Sequence, residues 1–324
     1  MKKNVSIDIS SKTLDICIKE NGCLTHAVIK NEVKSIYSFF SQMNQPDTVV
    51  SMENTGRYNW NLYEVLAKLK CTVFVIPPIH IKKSAGLVRG KNDKVDAKRI
   101  GAFVEKNISE LTPWKPCSDD IKKLKILLTE RNARLKIIKQ LSCQKKDYSL
   151  MKKTGLEKNL TKLNTKLTDN VKVQIKELEA QIELIFKENA ELNKMAELTK
   201  SVPGVGKVLC WTIIAKTEGF TTITEPRKMA CYSGVVPFDY QSGTSIKGKS
   251  RVSFYADKSI KSILHMAAMS AVQHKNDLAI YYKRKVEEGK NKMSVLNAVR
   301  NKIIHRIFAV IKNQKKYEFD LVLS

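Results

Sequence analysis

The stretch GKNDKVDAKRIGAFV, residues 90–104, places two carboxylates, Asp93 and Asp96, in the first turn of a predicted helix. Asn92 is a favourable N-cap residue for that helix. An apolar stripe follows that would bury the helix and leave the face with the two acids free; it comprises Ile100, Phe103 and Val104. Two acids on one helical face favour a bound cation, although acids are also common in a first turn because they suit the helix dipole.

Two more acids stand at the ends of predicted strands upstream of this helix. Asp8 lies at the end of the first strand and Glu53 at the end of the fourth. The apolar patterns predict strands at residues 4–10, 13–19, 24–30, 48–53 and 72–76 and helices at residues 33–43 and 58–69. Three sequential strands, followed by strands that alternate with helices, predict a mixed sheet with helices on its faces.

This order of elements is the one found in ribonuclease-H-like nucleases, whose chemistry requires acids from separate points of the sheet to converge on one patch. The candidates in this chain are Asp8, Glu53, Asp93 and Asp96. Four oxygen donors without a nearby His or Cys suit Mg²⁺ or Mn²⁺ better than zinc. Two such ions can activate the attacking oxygen and stabilise the leaving oxygen at a phosphodiester.

The composition favours a nucleic-acid partner. The 324 residues carry a formal net charge of +26, from 58 Lys and Arg against 32 Asp and Glu, and the basic residues are spread over the whole chain. Such a distribution suits a protein that binds along a polyanion. A membrane partner is disfavoured because no strongly apolar amphipathic segment accompanies the charge. Seven scattered cysteines without a CxxC pair, and no long apolar run, predict a soluble cytoplasmic protein that is not exported.

Residues 119–200 are predicted to form long helices, because Lys and Glu dominate, Leu and Ile recur at helical spacing, and Gly155 is the single glycine. Part of this segment follows the alternating spacing of a coiled-coil seam, with one polar core position: Val171, Ile175, Leu178, Ile182, Ile185, Asn189 and Leu192. Thr154 and Gly155 would break the segment into a hairpin or two arms. An intramolecular helical hairpin and a dimerisation arm both fit this pattern.

A glycine-containing turn, SVPGVGK at residues 201–207, precedes a predicted apolar helix at residues 208–215. The turn is similar to a helix-hairpin-helix element, in which glycine lets backbone N–H groups approach a DNA phosphate and the following helix dipole favours the charge. Gly204, Gly206 and Lys207 are therefore candidate nucleic-acid-binding residues. A plain tight turn is the alternative.

Three runs of sequence resemble the acidic blocks of the DEDD insertion-sequence transposases, whose N-terminal domain is similar to the RuvC Holliday-junction resolvase. The runs are SIDISSKTLDI, SMENTGRYNWNLYEVL and KNDKVDAKRIGAF. The resemblance implies metal-ligand roles for Asp8, Glu53, Asp93 and Asp96, and a basic loop at residues 77–91 that leads to the catalytic helix. Farther along, KMACYSGVVP, QSGTS, the basic run at residues 247–251 and a predicted helix at residues 259–274 resemble the C-terminal domain of the same family.

In that family a serine in the loop after the Gly-Val-Val-Pro-like block is the nucleophile, and the matching residue is Ser242. A serine hydroxyl can attack phosphorus to store the broken strand as a phosphoserine ester, and nearby basic side chains can offset the developing charge. Those basic residues are Lys247, Lys249 and Arg251. Without the resemblance, QSGTS is interpreted as a polar turn. Competing serines are Ser245, Ser250 and Ser253, and Lys258 stands where many members have glycine.

The resemblance covers essentially all of the chain and implies three parts. These are an α/β RNase H-like (RuvC-like) DEDD catalytic domain at residues 1–115, a helical coiled-coil segment at residues 116–200, and a mostly α-helical C-terminal transposase domain at residues 201–324. It further implies a recombinase that cuts and rejoins donor and target double-stranded DNA, guided by an element-encoded bridge RNA, in a homo-oligomer (dimer or tetramer). A DNA invertase of the same family would share every active-site residue. A metal-dependent junction nuclease would need the acids but not Ser242, and a nucleic-acid scaffold would need neither.

Overall fold

The computed structural model describes residues 3–84, 92–242 and 246–319. These residues fall into two compact units, with the boundary between Pro116 and Cys117. Within the described ranges, no helix is both long enough and apolar enough to cross a membrane.

The first unit is built on a five-stranded sheet of order β3-β2-β1-β4-β5. The strands are β1 (Lys3–Ile9), β2 (Thr13–Glu20), β3 (Cys23–Lys30), β4 (Thr48–Glu53) and β5 (Thr72–Ile76). Strands β1, β2 and β3 form an antiparallel meander, whereas β4 pairs parallel to β1 and β5 parallel to β4. The predicted mixed sheet is confirmed, and its central strands are rich in the β-branched residues that favour extended backbone.

Helices cover both faces of this sheet. They are α1 (Val33–Ser41), α2 (Trp60–Leu66), α3 (Pro78–Ser84) and α4 (Asp93–Asn107), and a 3₁₀ turn at Gly56–Asn59 precedes α2. On one face, Val5 and Ile7 of β1 join a core with residues of α1 and α2. On the opposite face, Val104 of α4 packs with Val49 and Phe74. A strand covered on both sides must bury its polar residues too, and Asn4 and Ser6 of β1 are indeed buried.

The predicted basic loop at residues 77–91 is wrong over its first half, because α3 occupies Pro78–Ser84. Proline at the first position of a helix loses no intrahelical hydrogen bond, and Lys82 and Lys83 lie in the last turn, where cations suit the helix dipole. The rest of that predicted loop, residues 85–91, lies outside the described residues.

The second unit begins with a helical hairpin of α5 (Asp119–Tyr148) and α6 (Glu157–Glu188). The two helices are antiparallel, since Arg131 Nε lies 2.7 Å from Glu179 Oε1 and Asn164 Nδ2 donates to the carbonyl of Leu141 at 3.0 Å. A 3₁₀ turn, Ser149–Thr154, and Gly155 at φ +73° connect them. The predicted break therefore lies at the tip of an intramolecular hairpin.

The predicted seam does not continue through Asn189. Helix α6 ends at Glu188, and Asn189 has extended backbone, with φ −109° and ψ 105°. Its side-chain oxygen accepts a hydrogen bond from Leu192 N and so caps the next helix, while its amide donates to Asp120 Oδ2 at 2.9 Å. A residue that satisfies both a helix end and a carboxylate at the hairpin base cannot also be a core position of a continuous coiled coil.

The rest of the second unit is mostly helical around one core. Its helices are α7 (Ala190–Lys200), α8 (Lys207–Thr217), α9 (Pro226–Tyr232), α10 (Lys258–Ala271), α11 (Asp277–Glu287) and α12 (Lys292–Asn313). A two-stranded antiparallel hairpin, β6 (Phe238–Ser242) and β7 (Ile246–Arg251), lies between α9 and α10. Helix α8 is apolar nearly all round and is buried from Leu209 to Ala215, as expected of a central helix.

Candidate active site and nucleic-acid interface

Asp8 and Glu53 lie at the ends of two adjacent parallel strands. Strands β1 and β4 pair in a register that sets Ser6 beside Ser51 and Ile7 beside Met52. One step farther along each strand are Asp8 and Glu53. Because side chains alternate between the faces of a sheet, both acids lie on the same face as Ser6 and Ser51, which is the face covered by α4.

Helix α4 supplies the other two acids from its first turn. Asn92 caps the helix by accepting a hydrogen bond from Lys94 N at 2.9 Å, as predicted. The buried residues of α4 are Ala97, Ile100, Gly101 and Val104. Asp93 and Asp96 stand one turn before Ala97 and Ile100 on the same helical rows. Asp93 is exposed and Asp96 is partly exposed, so the two acids extend the sheet-facing side of α4 beyond its buried part and stay accessible.

Gly101 allows α4 to approach β1 closely. A Cβ atom at this position would lie 2.8 Å from Ser6 Oγ and 3.1 Å from Ser6 Cβ. On the same helix, Glu105 accepts a hydrogen bond from Asn4 Nδ2 at 3.1 Å and pairs with Lys19 of β2 at 2.9 Å. These contacts fix α4 over β1 and so determine where Asp93 and Asp96 stand relative to Asp8.

The four acids interact electrostatically. The pKa of Asp8 is raised from its ordinary value of 3.8 to about 6, first by burial and then by the charge of Asp93, with further contributions from Asp96 and Glu53. A hydrogen bond of 3.1 Å from Ile9 N to Asp8 Oδ1 opposes the shift. Asp8 therefore lies within range of the charges of all three other candidates, which come from two other elements.

The donor set fits a divalent cation. Asp8 lies within range of the charges of three other carboxylates, and a bound cation would relieve the repulsion that raises its pKa. In the described ranges, however, no three Asp, Glu, His or Cys side chains already stand close enough together to hold a metal ion. Asp96 is instead paired with Arg99, whose Nη1 lies 2.7 Å from Asp96 Oδ1. Closing a metal site would thus require these side chains to move closer together.

Two neighbours of the acids were not anticipated from the sequence. Asp15 of β2 stands directly opposite Asp8 in the antiparallel register, and its Oδ1 lies 3.2 Å from His26 Nε2 on β3. Arg99 is the other. The hairpin register of β1 and β2, once assigned, would have revealed Asp15, because residues opposite one another in antiparallel strands share a face.

The predicted phosphate-binding turn is held by contacts within the protein. Gly204 has φ +80°, and a Cβ there would lie 2.2 Å from the carbonyl oxygen of Ala267 on α10, so close packing already requires glycine. Gly206 is the N-cap residue of α8, and a Cβ there would meet no atom within 4 Å. Lys207 is paired with Glu183 of α6 at 2.5 Å.

The β6-β7 hairpin positions the backbone of the candidate serine. Ser242 ends β6 and pairs with Ile246, next to the pair Gln241 and Lys247. Arg251 stands at the opposite end of the hairpin, paired with Phe238, and is exposed. The side chains of Ser242, Lys247 and Lys249, and all of Ser245, lie outside the described part of the structure. Of the other competing serines, Ser250 lies in β7 and Ser253 accepts a hydrogen bond from Tyr255 N.

Comparison with known proteins agrees with this arrangement. Residues 5–148 match the model for the DEDD transposases of the IS110 type, described as "Transposase", and residues 196–283 match the "Transposase IS116/IS110/IS902 family". The "Pilin gene-inverting protein" of Moraxella bovis is 25% identical over 327 residues and that of Moraxella lacunata 24% over 326 residues, each alignment covering 98% of both chains. An "Insertion element IS110 uncharacterized 43.6 kDa protein" of Streptomyces coelicolor is 25% identical over 145 residues, which are 45% of this chain and 35% of that one.

Among solved structures, the chain is similar to T. thermophilus RuvC in complex with a Holliday junction substrate, with a TM-score of 0.28 and 14% identity over 35% of this chain and 100% of that one. The family matches and relatives define the class as enzymes that recombine DNA strands. Both parts of the chain thus match models of IS110-type insertion-sequence transposases, the family to which the chain belongs. The DEDD nuclease fold generally uses divalent metal ions.

Proposed function

We propose that this recombinase cuts and rejoins DNA strands with a Mg²⁺ or Mn²⁺ site held by Asp8, Glu53, Asp93 and Asp96. The observation that carries the proposal is the raised pKa of Asp8, because its three causes other than burial are the charges of the other three acids. When bound, the metal would activate the attacking oxygen and stabilise the leaving one. The three-part division at residues 1–115, 116–200 and 201–324 belongs to the same proposal.

The nucleophile in this proposal is Ser242. Its support is the family resemblance of the QSGTS block together with its position at the end of β6, next to the pair that contains Lys247. When the serine oxygen attacks phosphorus, a phosphoserine ester forms while the bond from phosphorus to the oxygen of one DNA end breaks, and that end leaves as a hydroxyl. A DNA hydroxyl then attacks the ester, which rejoins a strand and frees the serine hydroxyl. Lys247, Lys249 and Arg251 would offset the charge on the phosphoryl oxygens.

The proposal includes a guide RNA and a homo-oligomer, either dimer or tetramer. Family resemblance implies both, and the net charge of +26 is suited to binding RNA as well as DNA. Gly204, Gly206 and Lys207 remain proposed nucleic-acid contacts; an incoming phosphate would have to compete with Glu183 for Lys207. A protein of this kind acts where chromosomal DNA lies, in the cytoplasm at the nucleoid.

DNA inversion is the second candidate function. The two relatives that align over 98% of both chains are named as pilin gene-inverting proteins. Inversion and transposition use the same strand cleavage and rejoining, and they differ in which DNA ends are joined. Flanking DNA with repeated ends that move together with the reading frame would favour transposition, whereas reversal of a fixed segment would favour inversion.

A covalent intermediate tests the chemistry directly. Incubation with a nicked suicide DNA substrate and divalent metal should give a protease-sensitive species that migrates as protein joined to one DNA end. Ser242→Ala should remove this adduct and recombination together, whereas Ser245→Ala and Ser253→Ala should keep both. Asp8→Asn, Glu53→Gln and Asp93→Asn should abolish recombination without loss of folding, since each removes charge but little volume. Cleavage without any adduct would favour a junction nuclease that uses water.

The RNA proposal has its own measurement. Protein purified from cells that carry the complete element should retain RNA, and sequencing of that RNA should show enrichment of noncoding sequence that flanks the reading frame. Random cellular transcripts alone would contradict guidance by an element-encoded RNA, without affecting the covalent chemistry.

A further inference from the structure

Two aromatic side chains project into solvent between β7 and α10. Phe254 is 81% exposed and Tyr255 62% exposed, although both belong to residue types that usually contribute to a core. Their ring centroids lie 5.8 Å apart with an interplanar angle of 88°. Leaving a phenyl ring in water forgoes the free energy that its burial would provide, so the fold gains little from this residue.

The backbone that carries these rings is anchored at both ends. Ser253 accepts hydrogen bonds from Tyr255 N on its hydroxyl and from Ala256 N on its carbonyl, each at 3.2 Å. Asp257 N then donates to the carbonyl of Tyr232 on α9 at 2.8 Å. The rings are therefore presented by an ordered turn rather than by a loose loop.

Packing beneath the turn adds to this anchoring. Ala256 approaches Gly234 so closely that a Cβ on Gly234 would lie 2.8 Å from Ala256 Cβ. The Asp257 side chain caps α10 through Ser259 N at 2.9 Å and pairs with Lys216 of α8 at 3.0 Å. Helix α8 is the buried centre of the unit, so the turn is tied to its core.

Cations accompany the exposed rings. Lys258 Nζ lies 5.1 Å from the centroid of the Phe254 ring. A second cation, Arg251, is exposed and precedes Phe254 by three residues. Aromatic rings that are open to solvent beside cations match the chemistry of a single nucleic-acid strand, because a base can stack on the ring while its phosphate meets the ammonium group. An uncharged apolar partner would leave Lys258 without a counter-charge.

We propose that Phe254, with Tyr255 and Lys258, forms a stacking site for an unpaired base of the substrate DNA strand. The inference rests on the proposed function for the choice of DNA as the strand. The site adjoins the end of the β6-β7 hairpin where Phe238 pairs with Arg251, whereas Ser242 ends β6. Five residues of β6 span about 14 Å. The stacking site and the Ser242 end of β6 are thus approached from opposite ends of the same hairpin.

Fluorescence of 2-aminopurine in single-stranded DNA tests the site in the full chain, because stacking on an aromatic ring quenches it. Phe254→Ala should weaken binding about 5- to 100-fold and remove the quenching. Phe254→Trp should preserve both, and Phe254→Leu, which is apolar but has no ring, should behave as Phe254→Ala. Tyr37→Ala is the matched control, since Tyr37 on α1 is 54% exposed and should have no effect. Unchanged thermal melting will show that the variants are folded.

Three results would overturn the site. The first is parental binding by Phe254→Leu, which would mean that the ring is not used. The second is a change in sedimentation but not in quenching for Phe254→Ala, which would assign the rings to contact between protein copies. The third is tighter, ring-dependent binding of an RNA strand of the same sequence, which would replace DNA as the ligand. Ser242→Ala separates the two proposals, because it should lose the covalent adduct and keep the quenching.

Discussion

Bringing the four acids together is electrostatically unfavourable, and the effect is seen most clearly at Asp8. Burial and three neighbouring carboxylates all disfavour its charged form and raise its pKa to about 6. In the unfolded chain the same group titrates near 3.8. Between these two values the folded protein binds a proton that the unfolded chain does not, so the stability of the fold must fall as pH rises through this window.

The first prediction is that Asp8→Asn stabilises the metal-free protein at neutral pH. The pKa shift of Asp8 corresponds to roughly 3 kcal/mol, reduced to about 1–2 kcal/mol because the group is only half-buried and partly screened by solvent. In chelator, urea denaturation at pH 7.5 should show the variant more stable by that amount. At pH 4 the difference should nearly vanish, since Asp8 is then protonated in the folded protein. An equal difference at both pH values would contradict the electrostatic origin.

At the same scale, the sequence predicted the four acids but not their partners. Asp8, Glu53, Asp93 and Asp96 follow from strand ends and from a capped helix start, which are local features. Asp15 and Arg99 could not be assigned in the same way, because their relation to the acids depends on strand register and on the rotation of α4. The side chain of Ser242 lies outside the described residues, so its role remains a proposal from resemblance.

At the scale of elements, the contact between α4 and β1 depends on one missing methyl group. Gly101 faces Ser6 at a distance that a Cβ atom could not occupy without movement. Alanine would favour the helix by about 1 kcal/mol relative to glycine. An overpacked contact costs about 1–3 kcal/mol, so the clash should dominate.

The second prediction is that Gly101→Ala lowers both stability and recombination. The free energy of unfolding should fall by about 1 kcal/mol. Recombination should fall as well, because a clash that pushes α4 off β1 also moves Asp93 and Asp96 away from Asp8. Urea denaturation and a recombination assay measure the two effects. Ser6→Ala removes the nearer of the two clashing atoms, so the double variant Ser6→Ala/Gly101→Ala should recover part of both losses. No recovery would show that the obstruction lies elsewhere.

The bend between α6 and α7 also depends on one residue, Asn189. A seam with Asn189 in its core predicts that Asn189→Leu stabilises the protein, as an apolar residue does in a coiled coil. The structure predicts the opposite, since the asparagine caps α7 and binds Asp120.

The third prediction is therefore a loss of about 1–2 kcal/mol for Asn189→Leu, from the lost cap and the lost hydrogen bond. Asn189→Ser retains a capping oxygen and should cost less. Thermal or urea denaturation distinguishes the two interpretations by the sign of the change for Asn189→Leu. If Asn189→Leu instead stabilises the protein, the result would support the interpretation in which Asn189 is a core position of a continuous coiled-coil seam.

Across the whole molecule, the sequence predicted what depends on alternation and periodicity, and it missed the helix α3 and the end of α6. The mixed sheet follows from five short apolar runs in order, whereas Thr154 and Gly155 predict a break but leave a hairpin and two arms as alternatives. The resemblance implies a loop at residues 77–91, where α3 forms over Pro78–Ser84, and the 4-3 spacing passes through Asn189 although α6 ends at Glu188. Spacing does not show whether a polar residue caps a helix or lies inside it.

The charge of the α5-α6 hairpin is also uneven in a way that only the structure shows. Away from the tip, lysines are paired with acids: Lys122 with Asp119 and Lys123 with Asp120 at the base, and Lys172 with Asp169 halfway along α6. Residues 135–168, which include the tip, hold nine lysines and two acids. Among the described side chains, the exposed tip lysines Lys158, Lys162 and Lys166 form no ion pair. Lysines without an acidic neighbour are available to phosphates.

The fourth prediction is that these tip lysines contribute more to nucleic-acid binding than the acid-paired lysines elsewhere on the hairpin. Binding of duplex DNA, measured by fluorescence anisotropy over a series of salt concentrations, should give a log–log slope set by the number of phosphates neutralised. Lys158→Gln/Lys162→Gln/Lys166→Gln should reduce that slope by up to about 2.7. Lys122→Gln/Lys123→Gln/Lys172→Gln removes the same charge from the same hairpin and should change the slope less, because those ammonium groups already face carboxylates. Equal slopes for the two triple variants would mean that net charge, rather than the position of unpaired lysines, determines how this recombinase binds DNA.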